Sequence, residues 1–221
     1  MSAEGIGLIR LLSWLSPVFP TGGFAYSIGL ERAVHDGHAS SEAELCDWLR
    51  SIITHGSAKN DQIFLAESWR QAAAKQTCQP VAELAIALAG SKERHLELTA
   101  QGEAFVLAVE NWEFETRPDF AELFPLPVVV GAYCAVGGVD LKTALIGYLQ
   151  AIISNQLQAA IRLSVLGQSG AARILAALEP DMARLSAAAA ETTLDDLGTA
   201  TINADIASMN HETQRVRLFR S

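Results

Sequence analysis

The chain has 221 residues, a net charge of −9, 50 % hydrophobic residues and 19 % charged ones. So apolar a chain is not disordered, and its length suits one domain with a core large enough to fold unaided. The acidic balance excludes a nucleic-acid binder, which needs surplus Lys and Arg to neutralise phosphates, and it disfavours anionic membrane surfaces.

The first predicted helix covers 6–15. Glu4 precedes the first basic residue, Arg10, so no targeting segment is expected there. The next stretch, "SPVFPTGGFAYSIGLE" (Ser16 to Glu31), carries two prolines and three glycines among apolar residues. Pro17 and Pro20 stiffen it, and Gly22 and Gly23 let it turn sharply. A helix is predicted over 24–36, with Phe24 turned inward and Ser27 and Glu31, one turn apart, on a polar face. Ser41 and Glu44 then stand in the S-x-x-E order of a capping box. They precede Leu45, Trp48, Leu49, Ile52 and Ile53, spaced as one helical face.

Further helices fit 61–75 and 81–89. Leu96, Ala100, Ala104, Leu107 and Ala108 form an apolar stripe predicted to face the core. The most apolar run, 123–139, is broken by Pro125 and Pro127 and falls short of the ~20 residues that a bilayer requires. It is read as a buried core helix. Asp140 is placed as the N-cap of a helix bearing Ala144, Leu145, Tyr148, Leu149 and Ile152, with an extension to about residue 166. Two helices, 171–178 and 181–191, complete the series. Alternating strand patterns and Asn-Gly turns are missing from the sequence. The expected fold is all-α: a single-domain bundle of about nine or ten helices over 1–221. Cys46, Cys78 and Cys134 form no CxxC pair, which suits reduced thiols in a soluble cytoplasmic protein.

No catalytic constellation emerges from spacing. His35 and His38 flank Gly37, where a helix should end, and read as a solvated terminus. "HET" at His211 lacks the second histidine of a zincin, because residue 215 is Arg215. "AVGGVD" lacks the Lys-Ser/Thr of a phosphate loop, and no G-x-S-x-G elbow occurs. Besides the opening stretch, two segments fit core packing poorly. One is 153–170, which places Asn155, Gln156, Gln158 and Arg162 in an apolar helix. Such groups need partners. A satisfied internal network and a polar seam facing a partner or an aqueous passage both fit. The other is 204–221, where Arg215, Arg217 and Arg220 cluster around Leu218 and Phe219. These residue types favour docking. A tail so short is expected not to hold the core, so removing 215–221 should leave the bundle folded.

"SPVFPTGGFAYSIGLE", "KERHLELTAQGEAF" (Lys92 to Phe105), "AAIRLSVLGQSG" (Ala159 to Gly170) and "DIASMNHETQRVRLFRS" (Asp205 to Ser221) together resemble the UreF family of urease accessory proteins. They occur in the family's order across the whole chain. The closing S-M-x-H-E-x-Q-x-x-R-L-F-x-S pattern, Ser208 to Ser221, is the most specific. The resemblance implies an all-α, non-enzymatic adaptor in the cytoplasm. It would bridge UreD (also called UreH) and the GTPase UreG, commonly as a homodimer, in a complex that delivers nickel to the urease apoprotein. No cofactor or metal of its own is implied; nickel is handled by the complex. Whether UreG's GTP hydrolysis is stimulated or restrained stays open. The tail is implied to engage UreD and to become ordered on doing so. Partner-binding residues are expected at Pro20, Gly22, Phe24, Ser27 and Glu31 in the loop, with UreG as the partner assigned to it. Arg162 and Gln168 are expected on the long helix and after it. Ser208, His211, Glu212, Arg215, Leu218, Phe219 and Arg220 are expected in the tail, residues 204–221. The family often has an acidic residue where this chain has Ser16-Pro17, which implies a weaker or different contact there. Two alternatives are a stand-alone nickel-binding chaperone and a helical enzyme with a dispersed site.

Overall fold

The computed structural model describes residues 3–221. The described residues form ten α-helices and two short 3₁₀ turns, with no strand among them. The helices are α1 (Ala3–Trp14), α2 (Leu30–His35), α3 (Glu42–His55), α4 (Ser57–Ala73), α5 (Gln79–Ala87), α6 (Lys92–Val109), α7 (Leu126–Val136), α8 (Leu141–Arg162), α9 (Gln168–Ala189) and α10 (Ile202–His211). The all-α bundle is therefore as expected. Among the described residues, no helix is long and apolar enough to cross a membrane.

Locally coded features hold where local physics decides them. Ser41 Oγ accepts from Glu44 N at 3.3 Å, and the Glu44 carboxylate accepts from Ser40 N at 3.0 Å. Asp140 caps α8 by accepting from Thr143 N at 3.1 Å. The α3 face buries Leu45, Leu49, Ile52 and Ile53. His35 and His38 are both exposed.

Four expectations fail. The predicted helix over 24–36 is broken: Gly23–Ala25 forms a 3₁₀ turn, and Ile28 (φ 52°) and Gly29 (φ 76°) are left-handed before α2 begins. Packing against α10 requires this, since a Cβ on Gly29 would lie 2.8 Å from Ser208 N. The long helix stops at Arg162 instead of running to 166, because Ser164 turns left-handed at φ 61°. The two predicted C-terminal helices are one, α9, which carries Pro180 inside it. Interior proline costs about 3 kcal/mol, yet Ile174, Leu178, Met182 and Ser186 make one continuous buried face. The α6 stripe faces outward at Leu96 and Leu107; Glu93, Glu97, Leu98, Gln101 and Phe105 are buried instead.

The core is organised around α4, which packs on α7, α8, α3 and α9. Its polar residues are satisfied internally: Gln62 Nε2 donates to Leu145 O at 2.9 Å and to Ser186 Oγ at 3.1 Å. All three cysteines are free. Burial pushes the Cys78 thiol up to about 12 and also raises that of Cys134. The α4–α7 contact depends on Gly131, where a Cβ would meet Leu65 O and Ser68 Oγ, each at 2.3 Å. Gly131→Ala should destabilise the fold by about 3 kcal/mol through overpacking. A chemical-denaturation series checks this, and an unchanged midpoint would refute it.

Candidate functional site

The closing motif is seated against the protein's own body. Ser208, His211, Glu212, Arg217 and Ser221 each meet a group far away in sequence. Ser208 Oγ and Ser91 Oγ are 2.7 Å apart. Glu212 accepts from Lys92 N at 2.9 Å, at the start of α6. His211, fully buried, lies between two carboxylates: Nδ1 is 2.7 Å from Glu93 Oε2 and Nε2 is 2.9 Å from Glu31 Oε2. Each ring nitrogen thus faces one carboxylate oxygen. Arg217 Nη1 donates to Glu93 Oε1 at 2.8 Å. Glu93 is thereby met by the Arg217 guanidinium on one oxygen and by the His211 ring on the other.

Glu31 also receives the tail backbone. Leu218 N donates to its Oε1 at 2.8 Å and Phe219 N to its Oε2 at 3.0 Å. Arg220 N donates to Ala25 O at 2.7 Å, and Ser27 N donates to Ser221 O at 2.6 Å. Ser27 Oγ donates to the same Ser221 oxygen. Phe219 is buried in the core cluster with Leu30, Leu157 and Ala160. The Arg162 guanidinium lies 4.2 Å above the Phe219 ring, and its Nη1 donates to Phe24 O at 2.6 Å.

These contacts correct three readings. Phe24 is not inward: it is 67 % exposed, and Phe19 is the aromatic that plugs the core. Ser27 and Glu31 are not on a solvated polar face; both are buried, as the acceptor and donor set for the tail. The tail does bear on the core, because Phe219 and Ser221 are 4 % and 1 % exposed. The premise that so short a tail does not hold the core is thus corrected. Loop and tail also lie side by side, which spacing did not reveal. Gly22 is left-handed at φ 72°, and Pro20 is exposed. Arg215 and Gln168 are exposed and take no part in the cluster. In the long helix, Asn155 Nδ2 donates to Tyr26 O at 3.2 Å, whereas Gln156 Nε2 is buried without a hydrogen-bond partner.

Sequence reasoning missed a second buried polar group beneath the opening loop. Arg94 bonds Asp61 at 2.5 Å and lies 3.2 Å from Glu97 Oε2. The Tyr148 hydroxyl donates to Asp61 at 3.2 Å, and Gln101 Nε2 donates to Glu97 at 3.3 Å. Burial raises the Glu97 carboxyl and, with Asp61 beside it, raises Tyr148 further. Burial works against the Arg94 charge, but Asp61 and Glu97 outweigh it and hold the guanidinium protonated. The cluster lines a cavity of about 500 Å³ walled also by Phe19, Pro20 and Phe105. A usable signal was present: Glu93, Glu97 and Gln101 recur at helical spacing inside "KERHLELTAQGEAF". Among the described residues, no group of three His, Cys, Asp or Glu is placed to hold a metal ion.

Fold and site define an all-α bundle closed by its own C-terminal segment through a buried ion cluster. The UreF family model matches residues 39–179. The UreF 1 urease accessory protein of Brucella anthropi is 50 % identical over 214 residues, covering 97 % of this chain and 94 % of that protein. The urease accessory protein UreF of Brucella ovis is 52 % identical over the same extent. That of Allorhizobium ampelinum is 47 % identical over 228 residues, covering 100 % of this chain and 99 % of the relative. The chain belongs to the UreF family.

Proposed function

We propose that this protein is a non-enzymatic adaptor in urease maturation. It joins a UreD-type (UreH-type) protein to the GTPase UreG in a cytoplasmic complex, as a homodimer, and that complex delivers nickel to the urease apoprotein. Nickel is cargo of the assembly here, not a resident cofactor. Close likeness to proteins named urease accessory protein supports the setting.

The observation that carries the adaptor reading is the surface made jointly by loop and tail. Phe24 is 67 % and Leu218 58 % exposed, and the exposed Arg162 and Arg220 stand beside them. Aromatic and arginine groups held rigidly in this way lose little ordering entropy on contact. We assign this surface to the UreD-type partner. Since Glu31 seats the tail, reversing its charge disturbs loop and tail together, so it cannot separate the UreD face from the UreG face. Phe24→Ser and Leu218→Ser can, because both side chains project outward. Each should keep the wild-type melting temperature, and together they should weaken co-purification with the UreD-type partner by at least about tenfold, a loss of ~1.4 kcal/mol. Retention of that partner at wild-type strength, with UreG lost instead, would reverse the assignment. Arg162→Ala should act in the same direction and also loosen the tail.

A further inference from the structure

Ile28 is in a conformation that its side chain opposes. Its φ is 52°, and a β-branched residue is an outlier in the left-handed region. Such strain persists only where the surroundings over-determine it. Here they do so from both sides. Ser27, the preceding residue, is held by the tail through both its N–H and its hydroxyl, each on Ser221 O. Gly29, the following residue, is pressed against Ser208 of α10. Both restraints come from the C-terminal segment.

Ile28 also occupies a particular place inside. It lines the cavity of about 500 Å³ beneath the opening loop. It also lines a smaller cavity of about 140 Å³ beneath α10. Among the described residues, Ile28, Asp61 and Arg94 are the ones common to both walls. The partition between the cavities is therefore this strained residue together with the ion pair of Arg94 and Asp61.

We propose that tail seating and the Ile28 backbone form one two-state switch. With the tail seated, Ile28 is held left-handed and the partition is closed. With the tail lifted, Ser27 loses its acceptor, Ile28 relaxes to negative φ, and the wall at Arg94 and Asp61 is released. By linkage, the strain at Ile28 weakens tail seating as much as tail seating imposes the strain.

Two measurements on the full chain test this. Backbone strain of this kind corresponds to about tenfold in the seating equilibrium. Ile28→Gly accepts positive φ freely, so the amides of Leu218 and Phe219 should exchange about tenfold more slowly, relative to the core amide of Ile153. Ile28→Asn, which also tolerates this region, should act in the same sense. It keeps the test decisive if the glycine variant folds poorly. Tail amide exchange unchanged or faster in these variants overturns the proposal. In the second measurement, the strong intraresidue amide-to-Hα nuclear Overhauser effect of a positive φ should be present at Ile28 in the wild type. It should be lost in a tail-releasing variant, Phe219→Ala or His211→Ala. Its persistence once the tail amides exchange freely would show that the turn is strained independently of the tail, and would overturn the switch.

Discussion

Arg94→Ala should lower the unfolding free energy by about 3–5 kcal/mol, the penalty for leaving buried charges without their partner. Asp61 and Glu97 are 5 % and 4 % exposed, and Arg94 is the cation that bonds both. For a chain of this size that is roughly a 6–20 °C fall in melting temperature. A fall below ~1 kcal/mol would mean that water reaches the carboxylates and that the cluster is not a closed network. The pH dependence follows from Glu97, whose carboxyl is raised chiefly by burial. The folded state then holds that proton more tightly than the unfolded chain. Its contribution is complete below the ordinary carboxylate range and is lost as pH rises through the raised folded value. Glu97→Gln removes the titration, so its melting temperature should fall less than the wild type's as pH is raised from 5 to 8. Parallel curves for the two proteins would refute this.

Phe219→Ala should have the second large effect, about 3–5 kcal/mol, the usual loss for a phenylalanine truncated in a core. Position alone would suggest a harmless change, since the residue lies two from Ser221. Its ring is 4 % exposed and is packed in the cluster with Leu30, Leu157 and Ala160. The truncation also takes away the face on which Arg162 stacks. The variant should lose stability and at the same time loosen residues 212–221, seen as faster proteolysis there. Leu218→Ser, one residue earlier and outward, should stay within about 0.5 kcal/mol of wild type. Equal destabilisation by the two would show that the tail contributes through its backbone bonds and not through the Phe219 ring.

What could be read in the sequence was what neighbours in the chain decide between themselves. The Ser41 cap, the Asp140 cap and the α3 face rest on contacts three or four residues apart, so a sequence pattern contains both partners. The absence of alternating patterns pointed to an all-α fold for the same reason. The closing pattern from Ser208 to Ser221 marked the tail as special, and its family resemblance placed the chain among urease accessory proteins.

The face of α6 was misread because periodicity assigns apolar residues inward. Glu93 and Glu97 can be buried because Arg217 and Arg94 pair with them there and the His211 ring bonds Glu93. Glu31 looked like a surface charge until its partners, His211, Leu218 and Phe219, arrived from 180 to 188 residues away. Gly29 and Ile28 ended a helix that local propensity would have continued, because α10 leaves no room for a Cβ at Gly29. Sequence by itself thus determined the all-α class, the local caps, the α3 face and the family. Only the tertiary structure decided which charges are inside and where the tail lies, because a buried charge is tolerable only beside a partner that chain proximity does not supply.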